Sequence, residues 1–108
     1  MEVNIEHQAG TTIVLPIGDV DLSNSRDLQT HLREEMSRKP GLVVVDLAKV
    51  SYMDSSGVAT LVEAMQIARR QATKLVLCEL NDKVRAIFEI ARLDRVFTIV
   101  GTRADAGA

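Results

Sequence analysis

The run Leu42-Val43-Val44-Val45-Asp46-Leu47, the polar stretch Met53-Asp54-Ser55-Ser56-Gly57 and the amphipathic segment from Val58 to about Arg70 together constrain this chain most. A continuous apolar run of that length reads as a strand central in a parallel sheet covered by helices. The stretch after it puts two serines and a carboxylate where a strand feeds a helix N-terminus. That end of a helix has unpaired backbone N–H groups and a partial positive charge. An added phosphate would be held there rather than repelled, so a serine at this point can act as a regulatory switch as well as a cap.

The remaining segments fit the same plan. Val3, Ile5 and His7 alternate with polar residues as in a half-exposed strand, and Ala9-Gly10 turns the chain into a second strand, Thr12 to Ile17. Pro16 lacks a ladder donor and belongs at a strand end or at a position that bonds no neighbour. Ser23 or Ser25 caps a helix running to about Arg38, with Leu28, Leu32 and Met36 on its apolar stripe and Arg26, Glu34, Glu35 and Arg38 over much of the rest. Thr73 to Cys78 is another buried strand. Asn81 or Asp82 caps a third helix carrying Val84, Ile87, Phe88 and Ala91 inward, and Val96 to Val100 is a last strand. The order β-β-α-β-α-β-α-β implies right-handed crossovers and a mixed, mostly parallel sheet in an α/β fold. Residues 1–100 form one domain, and 101–108 a short C-terminal tail small and polar enough to fray.

With 108 residues, 46% of them hydrophobic, the chain supports one core, and the absence of Trp leaves it to aliphatic side chains. A net charge of −2 gives no general attraction to nucleic acid or anionic membrane. No apolar stretch suits membrane insertion and no leader pattern is visible, so a cytoplasmic location is expected. Cys78 has no internal disulfide partner and reads as a small buried hydrophobe.

Four chemistries compete for the central motif. The plainest is capping of a helix by Ser and Asp, with Gly57 making a tight turn; of two adjacent serines, one can cap while the other stays free. A nucleophile elbow is disfavoured because Asp54 stands where Gly-x-Ser-x-Gly needs glycine, and His7 and His31 are poorly placed as bases. Asp19, Asp21 and Asp54 could gather at one end of the sheet as a docking patch. A Mg²⁺ site is the weaker reading of those carboxylates, since that ion needs several oxygens in tight geometry, and no metal or cofactor is expected. Helical spacing puts Ile67 on the outer face of the second helix beside Thr60 and Glu63, where it could anchor a partner.

These segments resemble the anti-sigma-factor antagonist family, whose fold is the STAS domain. Gly18-Asp19-Val20-Asp21 looks like the family's Gly-Glu-Leu-Asp. Val43 to Leu47 followed by Tyr52 to Gly57 looks like its third strand and switch loop. Lys74 to Cys78 is similar to its fourth strand, and Val84-x-x-Ile87-Phe88 with Leu93 to its third helix and the turn after it. The resemblance implies a non-enzymatic binding protein. Ser55 would be phosphorylated by an anti-sigma factor that is an ATP-dependent serine kinase. The unphosphorylated chain would bind that kinase and free a sigma factor, and a serine phosphatase would restore the binding form. Ser56 would cap the helix, and the partner surface would comprise Asp21, Asp54, Ser55, Ser56, Gly57, Thr60, Glu63 and Ile67. The protein would be a monomer or weak dimer. A second function of the same fold is an accessory subunit docked on the ATPase of a membrane lipid transporter, without a phosphate cycle. The chain departs from the family in Val58-Ala59 after the motif, in Arg92 where glycine is common, and in a shortened C-terminal helix. If Arg92 is left-handed, it costs about 1 kcal/mol or more.

Overall fold

A computed structural model describes residues 1–107 of the chain. The elements are β1 (Glu2–Gln8), β2 (Thr11–Ile17), α1 (Ser25–Ser37), β3 (Leu42–Asp46), α2 (Ser55–Arg70), β4 (Lys74–Cys78), α3 (Asp82–Ile90) and β5 (Thr98–Val100), followed by a 3₁₀ turn, Ala104–Ala106. The single sheet has the spatial order β1-β2-β3-β4-β5. β1 and β2 are an antiparallel hairpin, and every later pair is parallel. Pro16 lies opposite Val3 and beyond the last β2–β3 pair, Val14↔Val45, so its missing donor breaks no bond on the β3 side.

Strands laid down in chain order have a consequence for the layers. Each β-α-β crossover steps the same way, so right-handed connections put α1, α2 and α3 on one face. Val14, Val45 and Leu77 stand in register on that face and pack with Leu28, Leu61 and Phe88. The Phe88 and Phe97 rings meet edge to face with centroids 5.4 Å apart.

The opposite face carries Ile13, Val44, Val76 and Cys78, and the structure corrects two expectations there. Among the described residues no α-helix covers it, and residues 101–107 do not fray. Residues 101–107 fold back, and Ala106 buries itself against that second cluster. Arg103 clamps the return: Nε donates to Asp46 Oδ2 at 2.8 Å, Nη1 to Glu6 Oε2 at 3.0 Å, and its backbone N–H to Glu79 Oε2 at 2.8 Å. Asp46, the carboxylate in the apolar strand, is almost wholly buried and is offset by this guanidinium. Burial, helped by Asp46 and Glu79, pushes the Cys78 thiol up to about 12, so it stays protonated and inert.

Helix ends also differ in detail. α1 has neither Ser23 nor Ser25 as its cap: Asn24 holds that position without a side-chain cap bond, and its amide instead ties the preceding loop. Glu35, expected on the solvent face of α1, is buried with Oε1 2.6 Å from His7 Nε2. At the start of α3, Asn81 accepts from the Val84 N–H at 2.8 Å. All three helices are followed, after the C-cap, by a left-handed non-glycine residue: Lys39, Ala72 and Arg92, the last at φ 58°.

Candidate functional site

The site forms at the sheet end where the parallel strands finish and the following helices begin. Two loops meet there, 18–24 after β2 and 47–54 after β3. The Gly18 N–H donates to Lys49 O, the Val20 N–H to Tyr52 O and the Asp54 N–H to Val20 O, all at 3.0–3.1 Å. The result is a one-residue parallel bridge, Val20↔Met53, with both side chains fully buried. This bridge brings Asp21 and Asp54 to one end of the sheet. Asp21 shapes its own loop: Oδ1 accepts from the Ser23 N–H at 2.9 Å and from Ser23 Oγ at 2.5 Å.

Asp54, not Ser56, caps α2. Its Oδ1 accepts the Ser56 N–H at 2.9 Å, the Gly57 N–H at 3.4 Å and the Ser56 hydroxyl at 2.5 Å, while Oδ2 reaches the Leu22 N–H at 3.2 Å. The Ser56 hydroxyl, with these N–H groups, holds the Asp54 carboxyl below the usual carboxylate range. Asp and Ser are comparable caps by residue type; here the extended backbone of Asp54, φ −98° and ψ −173°, decides which one caps. The two serines are thereby distinguished. Ser56 is half-buried with its hydroxyl committed to Asp54. Ser55, the first helical residue, is exposed, and among the described residues its hydroxyl has no hydrogen-bond partner.

Gly57 supports this arrangement from below and corrects its assignment to the partner surface, because it is buried. A Cβ at that position would lie 2.6 Å from Met53 Cγ and 2.8 Å from Val20 Cγ1. Glycine here lets α2 approach the bridged loops closely, which is a packing requirement and not a turn.

The outer-face expectation for α2 is also corrected. Thr60 is 7% exposed and donates its hydroxyl to Ser56 O at 3.0 Å. Glu63 accepts from Gln29 Nε2 and Arg33 Nε, each at 2.6 Å, and those two donors hold its carboxyl below the usual range. Ile67 is half-buried against the core. All three face α1, on a helix that packs against both the sheet and a neighbouring helix and so buries a wider arc than one stripe. Above them lies an open, polar groove of about 560 Å³ bordered by Arg26, Arg33, Ser56 and Glu63. The strip of α2 that faces solvent starts at Ser55 and continues through Ala59, Gln66 and Arg69-Arg70. Two further residues of the bridged loops are exposed, Leu22 at 81% and Tyr52 at 49%; the sequence reading passes over Leu22 and includes Tyr52 only as part of the switch loop, outside the partner surface. An apolar residue inside a polar turn was the available signal.

The STAS domain family model matches residues 2–106. The anti-sigma-B factor antagonist of Listeria monocytogenes is 33% identical, over 92% of this chain and 90% of its own length. The intermembrane phospholipid transport system binding protein MlaB of Escherichia coli is 31% identical, over 80% of this chain and 84% of its own. Among solved structures, the Bacillus cell fate determinant SpoIIAA in its phosphorylated form superposes with a TM-score of 0.75 at 18% identity, covering 97% of this chain and 96% of that one.

Proposed function

The chain belongs to the STAS domain family, and from that premise we propose that it is an anti-sigma factor antagonist switched by phosphorylation of Ser55. The observation that carries this reading is the asymmetry of the two serines: Ser55 has a free, exposed hydroxyl, and Ser56 is bonded to the capping carboxylate. In the unphosphorylated form the chain binds an anti-sigma factor that is a serine kinase, and so releases a sigma factor. A serine phosphatase reverses the modification. The chain performs no catalysis; it is the substrate of both enzymes and works in the cytoplasm.

Phosphate adds roughly −1.5 to −2 charges at neutral pH. The Ser56 and Gly57 N–H groups already serve Asp54, which corrects the expectation that the helix end would simply hold an added phosphate: among the described residues the Ser55 N–H alone is left for it. The new dianion therefore stands at the surface beside the Asp54 carboxylate, where it opposes docking without unfolding the domain. A loss of about 3 kcal/mol suffices for a hundredfold change in affinity. The test is gel filtration with the purified kinase. Ser55→Ala should co-elute with it, and Ser55→Asp should fold normally and elute alone. Equal binding by both variants would overturn the switch.

The relative named as a binding protein of a phospholipid transport system supports a second reading, in which this chain docks on a transporter ATPase without a phosphate cycle. Incubation with the kinase and ATP separates the two, since only the first reading predicts a phosphorylated product.

A further inference from the structure

We propose that Leu22 and Tyr52 are the apolar anchors of the surface around Ser55, and that their occupant is a face of the serine kinase with an apolar socket and a cationic rim. The inference rests on the function proposed above and extends it to residues that were assigned no role.

Four large hydrophobic residues of the described chain are exposed; Ile90 ends α3 and Val96 lies in the connection from α3 to β5, on neither bridged loop. A single exposed leucine is ordinary. Leu22 and Tyr52, however, lie on the two loops that the Val20↔Met53 bridge joins, and the Leu22 backbone adjoins the capping carboxylate. The Leu22 N–H donates to Asp54 Oδ2, while Oδ1 of the same side chain holds the first turn of the helix that begins at Ser55. Tyr52 O accepts the Val20 N–H. The backbone under both side chains is thus fixed before a partner arrives, which lowers the ordering cost of binding. Tyrosine is enriched among residues that dominate interfaces.

Around the anchors carboxylates outnumber cations, Asp19, Asp21 and Asp54 against the exposed Arg26 and Lys49. Asp19 is exposed and Asp21 and Asp54 are half-buried, and among the described residues no lysine or arginine forms an ion pair with them. A complementary surface presents cations around the socket that takes Leu22 and Tyr52. A phosphate on Ser55 would then stand beside the anchors and add to the acidic rim.

The test is isothermal titration of the purified serine kinase that phosphorylates this chain with wild type, Leu22→Ala, Tyr52→Ala and, as a control, Ile90→Ala. Each anchor variant should raise Kd about 30-fold, the size of an interface hot spot, with an unchanged melting temperature. Ile90→Ala should leave Kd unchanged, and added salt should weaken the wild-type complex. Kd values within threefold of wild type for both anchor variants would overturn the anchors while leaving the switch standing. Should either alanine variant lower the melting temperature, Leu22→Ser and Tyr52→Ser, matched for stability, must still lose affinity, or the proposal fails. If wild type is neither bound nor phosphorylated by any serine kinase of its source cell, the function proposed above fails and takes this inference with it.

Discussion

Adding one methyl group to Gly57 tests how the switch loop is positioned. In Gly57→Ala the new Cβ meets Met53 Cγ at 2.6 Å and Val20 Cγ1 at 2.8 Å, distances that real Cβ atoms do not adopt. Both neighbours are fully buried and their backbones are bridged, so neither can swing into solvent. Overpacking of this kind costs about 1–3 kcal/mol. Against it stands the gain of replacing glycine in a helix, roughly 0.5–1 kcal/mol. The net expectation is a loss of about 1–2 kcal/mol, or a melting temperature lower by roughly 5–10 °C for a domain of this size. Urea denaturation of wild type, Gly57→Ala, Met53→Ala and the double variant measures it. The double variant should lose less than the sum of the singles by about 0.5 kcal/mol or more, because the added methyl enters space that Met53 vacates. A Gly57→Ala protein as stable as wild type would refute the close approach of α2 to the bridge, and with it the account of how Ser55 is placed.

Other consequences can be checked separately. Arg92 is left-handed after α3, so Arg92→Gly should stabilise the domain by about 0.5–1 kcal/mol; a lower unfolding midpoint would show that the arginine makes a compensating contact. Asp54 has a lowered pKa in the fold, so its charge adds stability above the ordinary carboxylate value of 3.8 and loses it as pH falls through the folded value. The stability gap between wild type and Asp54→Asn should therefore be full at pH 7 and close in acid. A gap that stays constant with pH would assign the effect to shape and not to charge. Arg103→Gln removes the cation facing buried Asp46 and should cost about 2 kcal/mol or more while loosening the tail. Alkylation of Cys78, which lies in the cluster that Ala106 covers, should then accelerate in the folded state; an unchanged rate would mean that the tail does not guard that face.

The element order was legible because each segment carries its own period: alternation in β1, continuous apolar runs in β3 and β4, and helical spacing in α1 to α3. The features that sequence did not reveal are those set between distant segments. Arg103 and Asp46 stand 57 residues apart, and nothing local marks the arginine as the clamp that packs the tail. The one-sided placement of the helices follows from strand order in space, which periodicity does not encode. Helical projection puts Ile67 outside because it measures amphipathicity about one axis, whereas α2 packs against both the sheet and α1. For the motif itself, the sequence narrowed the cap to Asp54 and its serine neighbours, and backbone geometry chose the aspartate. That choice frees one serine and occupies the other.

Locating the phosphate tests the Ser55 switch itself. The purified chain is incubated with its serine kinase and ATP, digested, and sequenced by tandem mass spectrometry, with Ser55→Ala and Ser56→Ala carried in parallel. A single phosphate is expected on Ser55, retained in Ser56→Ala and absent from Ser55→Ala. Phosphate on Ser56, or on neither serine, would contradict it.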